Sequence, residues 1–189
     1  MSSLDTNGRE QELVPANLAV GSRLLAAATV FAFMGPAFAY FYLRSLNSNG
    51  MWRPAGVDAP QAYGAAVMAL FVGSAVALAI APRTSRWRAA VACSLALGLA
   101  AVALQCVEYT QLGFGPMSGG YASVFLGWTA LNAVFALATV LWLETILAYG
   151  LRHSDAPASV VGPRLSALSF NWTFLAGLGV IMWAILYLV

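Results

Sequence analysis

Apolar residues run along this chain in five long blocks separated by short polar ones. The blocks are 24–43 (LLAAATVFAFMGPAFAYFYL), 61–81, 89–112, 121–148 and 166–189. Each reaches the ~20 residues that a helix needs to cross a bilayer. None shows the ten-residue alternation of membrane barrel strands. Lipid satisfies no unpaired backbone group, so the blocks predict helices. We place them at about 22–46, 60–81, 87–112, 121–149 and 166–189, after a polar N-terminal tail over 1–21. The expected fold is all-α, a polytopic membrane protein whose five-helix domain occupies 22–189.

The connections add detail. Residues 47–60 (NSNGMWRPAGVDAP) form a Gly/Pro turn region, 82–88 (PRTSRWR) a tight basic loop and 113–120 (GFGPMSGG) an uncharged glycine-rich loop. Residues 150–165 form the longest internal connection, and no soluble domain fits between the helices. Pro36 is expected to kink the first helix, because it removes a backbone hydrogen bond. Two small-residue faces stand out. Ala62, Ala66, Ala69, Gly73 and Ala77 recur on the second helix, and Ala89, Ala92, Ala96, Ala100 and Ala103 on the third. Small residues let membrane helices approach closely, so these faces predict a tight contact between helices two and three. The AFA at 37–39 looks like a signal cleavage site. However, Asp5, Glu10 and Glu12 upstream do not suit the short basic start of a signal peptide, so the first span is expected to remain.

Composition agrees with the pattern. The chain of 189 residues is 61% hydrophobic and 8% charged, too little charge to cover a water-soluble globule. A net charge of +2 gives no reason to expect a nucleic-acid partner. All nine basic residues are arginine and alanine is frequent, a habit of GC-rich bacterial genomes that makes a bacterial inner membrane the expected location. Arg9, Arg23, Arg83, Arg86, Arg88, Arg152 and Arg164 fall on one side of the five crossings, against Arg44 and Arg53 on the other. The positive-inside rule then predicts a cytoplasmic N-terminus and an outer C-terminus. Cys93 and Cys106, 13 residues apart, point to different sides of one helix and are expected to be small core thiols.

Candidate chemistry is sparse. The single histidine, His153, lies in a connection. Haem, copper and zinc sites need converging His, Cys or carboxylate clusters, and neither a nucleophile–histidine pair nor a phosphate-binding glycine loop is legible. No catalytic or metal residue is therefore assigned, and any redox metal is expected in another chain. The polar exceptions inside the apolar blocks are few. Gln105, Glu108 and Tyr109 share one face of the third helix near its outer end. An intramembrane acid is a functional candidate by default, but near an interface it can also snorkel to headgroups or pair with a neighbouring polar chain. Both readings stay open. Glu144 lies toward the inner end of helix four, where Asn171 and Thr173 of helix five are expected to meet it in an interhelical hydrogen bond; an inner proton entry is the alternative. Asn132, one turn after Thr129, is expected to bond across to another helix. Trp52, Trp87, Trp142 and Trp183 fall toward span ends, as an aromatic belt requires.

Four segments together resemble subunit III of the haem-copper oxidases. QCVEY (105–109) is similar to the family's Gln-x-x-Glu-aromatic element at a helix end, and GGYASVF (119–125) to its Gly-x-Tyr-x-Ser-x-Phe start of the next helix. NWTFL (171–175) resembles Tyr-Trp-His-Phe-Val of the last helix, keeping Trp172 and Phe174, and GMWRP (50–54) resembles the Trp-Pro turn after the first core helix. The likeness spans about residues 20–189. Five polar family positions are missing, being Val30, Asn132, Phe135, Thr173 and Ala176 here, so the likeness carries no proton-handling role for them. The resemblance implies a non-catalytic subunit that packs against a haem-copper subunit I, with subunit II beside it. It implies structural phospholipid in a cleft, with Glu108, Gln105, Tyr109, Asn132 and Trp172 making lipid or interhelical polar contacts. Haem and copper would sit in the partner subunits. Two alternatives remain: a subunit III-like partner of a nitric oxide reductase, and a free-standing small transporter, which would need a polar site at the membrane midplane.

Overall fold

A computed structural model describes residues 3–153 and 158–189, with side chains from Pro15 onward apart from residues 48 and 154–160. Every regular element among them is helical. α1 is Ser3–Leu46, α2 Gln61–Ile80, α3 Trp87–Gln111, α4 Gly120–Arg152 and α5 Ala158–Trp183. Single tight turns follow α1 (Ser48–Gly50) and α2 (Ala81–Arg83), and a π-helical turn, Ala184–Leu188, ends α5. All five helices are long and apolar enough to cross a membrane.

Several helices outrun their apolar blocks. The expected tail over 1–21 is helical from Ser3, α4 continues past 149 to Arg152, and α5 starts at Ala158 rather than 166. The connection placed at 150–165 shrinks accordingly. The physical reason is that hydropathy marks where lipid ends, not where a helix ends. Leu, Arg, Gln and Glu around 9–13 are good helix formers in water. Pro36 sits inside an unbroken α1 and Pro163 near the start of α5.

The helices run up and down, and their contacts order them into three layers. α4 and α5 pack together in the middle. α1 lies across both on one side, while α2 packs on α5 and α3 on α4 on the other, with α2 and α3 in mutual contact. The start of α1 and the α2–α3 and α4–α5 connections share one end, here the amino end. The 47–60 and 112–119 connections and Val189 share the other, the carboxyl end. The buried stripe of α4 shows helical spacing: Tyr121, Phe125, Trp128, Asn132, Ala136, Val140 and Leu143.

The contact between α2 and α3 forms, but through other faces than the sequence suggested. Ala62, Ala66 and Ala69 of α2 are exposed, with Gly73 and Ala77 only half-buried, and so are Ala89, Ala92, Ala96, Ala100 and Ala103 of α3. The buried faces carry Gly64, Val67, Phe71, Ser74 and Leu78 on α2, and Val91, Ser94, Gly98, Ala101 and Gln105 on α3. Alanine methyls are no worse in lipid than against protein. Hydroxyls, and the glycines Gly64 and Gly98 that seat neighbouring rings, are worth more inside. The same rotation puts Cys93 and Cys106 on the outer surface of α3, not in the core.

Candidate functional site

At the carboxyl end the α1–α2 connection docks onto the start of α4. The first turn of a helix has N–H groups without intrahelical acceptors. Here Gly120 N donates to Met51 O at 3.1 Å and Tyr121 N to Trp52 O at 2.8 Å. Gly119 has φ 144°, and a Cβ there would lie 2.7 Å from Pro54 Cδ, so this position requires glycine. The Trp52 ring stands edge-on to both Tyr40 and Tyr121, with centroids 5.0 and 5.9 Å away. Arg53 lies over the Tyr121 ring at 4.4 Å and pairs with Asp58 at 2.8 Å. Trp52 is thus a packing residue rather than a simple belt tryptophan.

One turn deeper lies Glu108. Its side chain has no exposed surface. It does not snorkel: Gln105 Nε2 donates to Oε2 at 2.5 Å and the Tyr187 hydroxyl donates to Oε1 at 2.6 Å. Gln105 and Glu108 are three residues apart on α3, so helix geometry alone brings them together. Tyr187 comes from the far end of the chain. Its ring lies against α2 at Gly64, where a Cβ would meet Tyr187 Cε1 at 2.3 Å, and it packs on Phe125 at 5.4 Å. Two further side chains hold the turn that carries it. The Tyr121 hydroxyl donates to Leu186 O at 2.7 Å, and Gln61 Nε2 donates to Tyr187 O at 3.1 Å. These carbonyls belong to the last residues of a helix, which lack intrahelical donors. The result is a clasp in which α2, α3 and α4 all grip the end of α5.

Tyr109, grouped with Glu108 from the sequence, turns away from it. Its hydroxyl donates to Thr129 Oγ1 at 2.9 Å, and Thr129 in turn donates to Phe125 O at 2.7 Å. That is a second α3–α4 link.

Trp172 forms a separate polar node deeper in the bundle. Its Nε1 donates to Ser74 Oγ at 2.8 Å. Ser74 donates to Ser94 O at 2.7 Å, and its oxygen lies 3.0 Å from Ser94 Oγ. One hydroxyl, with one proton and two lone pairs, therefore joins α2, α3 and α5. Gly98 makes room for it: a Cβ there would lie 3.3 Å from Trp172 Cζ2 and 3.4 Å from Ser74 Oγ.

Other expected contacts do not form. Asn132 is buried, but no side-chain hydrogen bond leaves it among the described residues; a Cβ on Gly179 would lie 3.5 Å from its Oδ1. Close approach of α4 to a glycine of α5 fills the place where a polar partner was expected. Glu144 is exposed, Asn171 donates to Ala167 O of its own helix at 3.1 Å, and Thr173 faces outward. A helical asparagine can reach the carbonyl one turn back, and this local bond wins over the one predicted with Glu144. Among the described residues no three His, Cys, Asp or Glu side chains come together.

Tyr187, Ser74 and Ser94 were not singled out from the sequence. A tyrosine two residues from the end of an apolar helix looks like a belt residue, and an isolated serine in a membrane helix ordinarily bonds its own backbone. Gly64 and Gly98 were the available signal, since each marks a place where another group comes close. No family model matches the chain, and no curated protein matches it in sequence.

Proposed function

We propose that this chain is a non-catalytic integral subunit of a bacterial respiratory terminal oxidase, built like subunit III of the haem-copper enzymes. It packs against the metal-bearing subunit I, with subunit II in the same complex, and stabilises it while that subunit reduces oxygen. It supplies no ligand to haem or copper, which sit in the partners, and it holds structural phospholipid. Its N-terminus faces the cytoplasm of the inner membrane, as its arginine distribution favours.

The observation that carries this reading is the meeting of three separate resembling segments at one place. GMWRP docks on GGYASVF through the Trp52 and Met51 carbonyls, and Tyr121 of the latter grips the helix end whose Tyr187 holds Glu108 of QCVEY. The fourth, NWTFL, contributes Trp172 to the Ser74 node. Residues that resemble one family in scattered places form one continuous clasp. Both carboxylate oxygens of Glu108 and the end carbonyls of α5 find their donors within the chain, as suits a rigid support.

The nitric oxide reductase partner is the second reading. It draws on the polar family positions that this chain lacks, which are Val30, Asn132, Phe135, Thr173 and Ala176 here. An affinity tag on this chain, with purification in mild detergent and identification of the chains that accompany it, tests both. A haem-copper oxidase subunit I in stoichiometric amount is expected. A nitric oxide reductase subunit in its place supports the second reading, and no haem-bearing partner under any mild condition refutes both.

A further inference from the structure

Outside the clasp, a groove of about 740 Å³ lies between α2 and α5 at the amino end. A second hollow of about 270 Å³ continues it toward the middle of the bundle, sharing Ala79, Thr173 and Gly177. Along α2 and the turn that follows it, the joined groove runs from Arg83 back to Val72. At ~1.5 Å per residue that is about 16 Å, or half of the ~30 Å hydrocarbon core of a bilayer. Beyond it the seam is shut: Met68 Sδ lies 3.5 Å from where a Gly179 Cβ would be, and Tyr187 covers Gly64. A helix from a partner would need a groove that continues across the membrane. This one is as deep as a single leaflet.

Its two ends differ in chemistry. The inner part is lined by Val72, Val76, Ala176 and Val180. At the mouth stand Arg83, Ser166 and Ser169, with Thr173 just below. The Arg83 guanidinium makes one bond, to Ala79 O at 3.3 Å, which leaves most of its five donors available. The ion pair found among the described residues is elsewhere, at Arg53 and Asp58. The three hydroxyls are unusual within this chain. Every described serine and threonine on α1–α4 bonds a carbonyl or a neighbouring side chain. Ser166, Ser169 and Thr173 bond none among the described residues, and all three face this groove.

We infer that the α2–α5 groove is a binding site for one anionic phospholipid, with its phosphate on Arg83 and the Ser166 and Ser169 hydroxyls and an acyl chain lying past Gly177. The inference rests on the chain lying in a bilayer and not on the oxidase reading, and its test needs no partner subunit. Gly177 offers a clean probe. A Cβ there meets nothing within 4 Å, so Gly177→Leu fills the groove without disturbing the seam.

The protein, reconstituted in nanodiscs of equal phosphatidylglycerol and phosphatidylcholine, is re-extracted in mild detergent, and retained lipid is counted per copy by native mass spectrometry. The wild type is expected to keep one phosphatidylglycerol in preference to phosphatidylcholine. Arg83→Gln should lower that preference about fivefold, the factor that corresponds to about 1 kcal/mol for one basic residue near an anionic surface. Gly177→Leu should abolish retention of either lipid while the helical circular dichroism stays that of the wild type. Equal phosphatidylglycerol retention in all three proteins overturns the inference. So does wild-type retention of no lipid, or a second copy of the chain held in the groove and released by Gly177→Leu.

Discussion

Glu108 stands where sequence reasoning is least able to choose, near a membrane interface and on an apolar helix. Its carboxylate accepts from Gln105 and Tyr187 and is sealed from the surface. Removing one partner of a buried hydrogen bond leaves the others unsatisfied, at about 1–3 kcal/mol. Glu108→Ala strands both the Gln105 amide and the Tyr187 hydroxyl, so a clear fall in the midpoint of thermal unfolding in detergent is expected. Glu108→Gln keeps the shape and an acceptor for Tyr187, and should lose less than half as much. An alanine variant as stable as the wild type would mean that the side chain spends its time outside the clasp. The pairing of Gln105 with Glu108 was legible because three residues on a helix make neighbours whatever the tertiary fold. Tyr187 was not, because it lies 79 residues away in sequence.

At the scale of the helix, glycines mark the contacts that matter better than alanines do. Gly64 lies under the Tyr187 ring, with a Cβ position 2.3 Å from Cε1, whereas the Cβ position of Gly177 is open. Gly64→Ala should therefore push Tyr187 off Glu108 and destabilise the protein by about 1–3 kcal/mol, the usual cost of overpacking. Gly177→Ala should be neutral or stabilising, by up to about 1 kcal/mol of helix propensity. Thermal melts of the two variants side by side check the contrast; equal effects would refute the close approach at Gly64. Alanine spacing on α2 and α3 pointed to the correct helix pair and the wrong faces. In water an alanine stripe would be drawn inward. In hydrocarbon nothing draws it, and the Ser74–Ser94–Trp172 bonds and the space at Gly98 decide the rotation instead.

For the whole molecule the prediction concerns which way the bundle points. The arginine count predicts the α2–α3 connection inside and the 112–119 connection outside. Cys93 and Cys106 are the two cysteines, and both can be replaced by serine to give a blank background. Met117, which is 98% exposed, and Ser85, also exposed, then serve as single-cysteine reporters. In intact cells a membrane-impermeant maleimide should label Met117→Cys and spare Ser85→Cys until the membrane is opened. The reverse pattern would invert the topology, move the proposed lipid site to the outer leaflet and count against the oxidase reading.

Number and type of the helices follow from the chain's apolar blocks, because a segment in lipid must satisfy its own backbone and only a helix of some twenty residues does so. Their full lengths do not, since α1 and α5 begin well before their blocks. Local pairs such as Gln105 with Glu108, three residues apart on one helix, were equally fixed by the chain. The direction in which each helix faces was not. Apolar side chains gain nothing by turning from lipid to protein, so the outward pattern is silent and the choice falls to hydroxyls, ring shapes and glycine gaps that meet only once five helices are assembled. That assembly turned Glu108 inward, brought Tyr187 to it from the other end of the chain, left Glu144 at the surface and opened the groove beside Arg83.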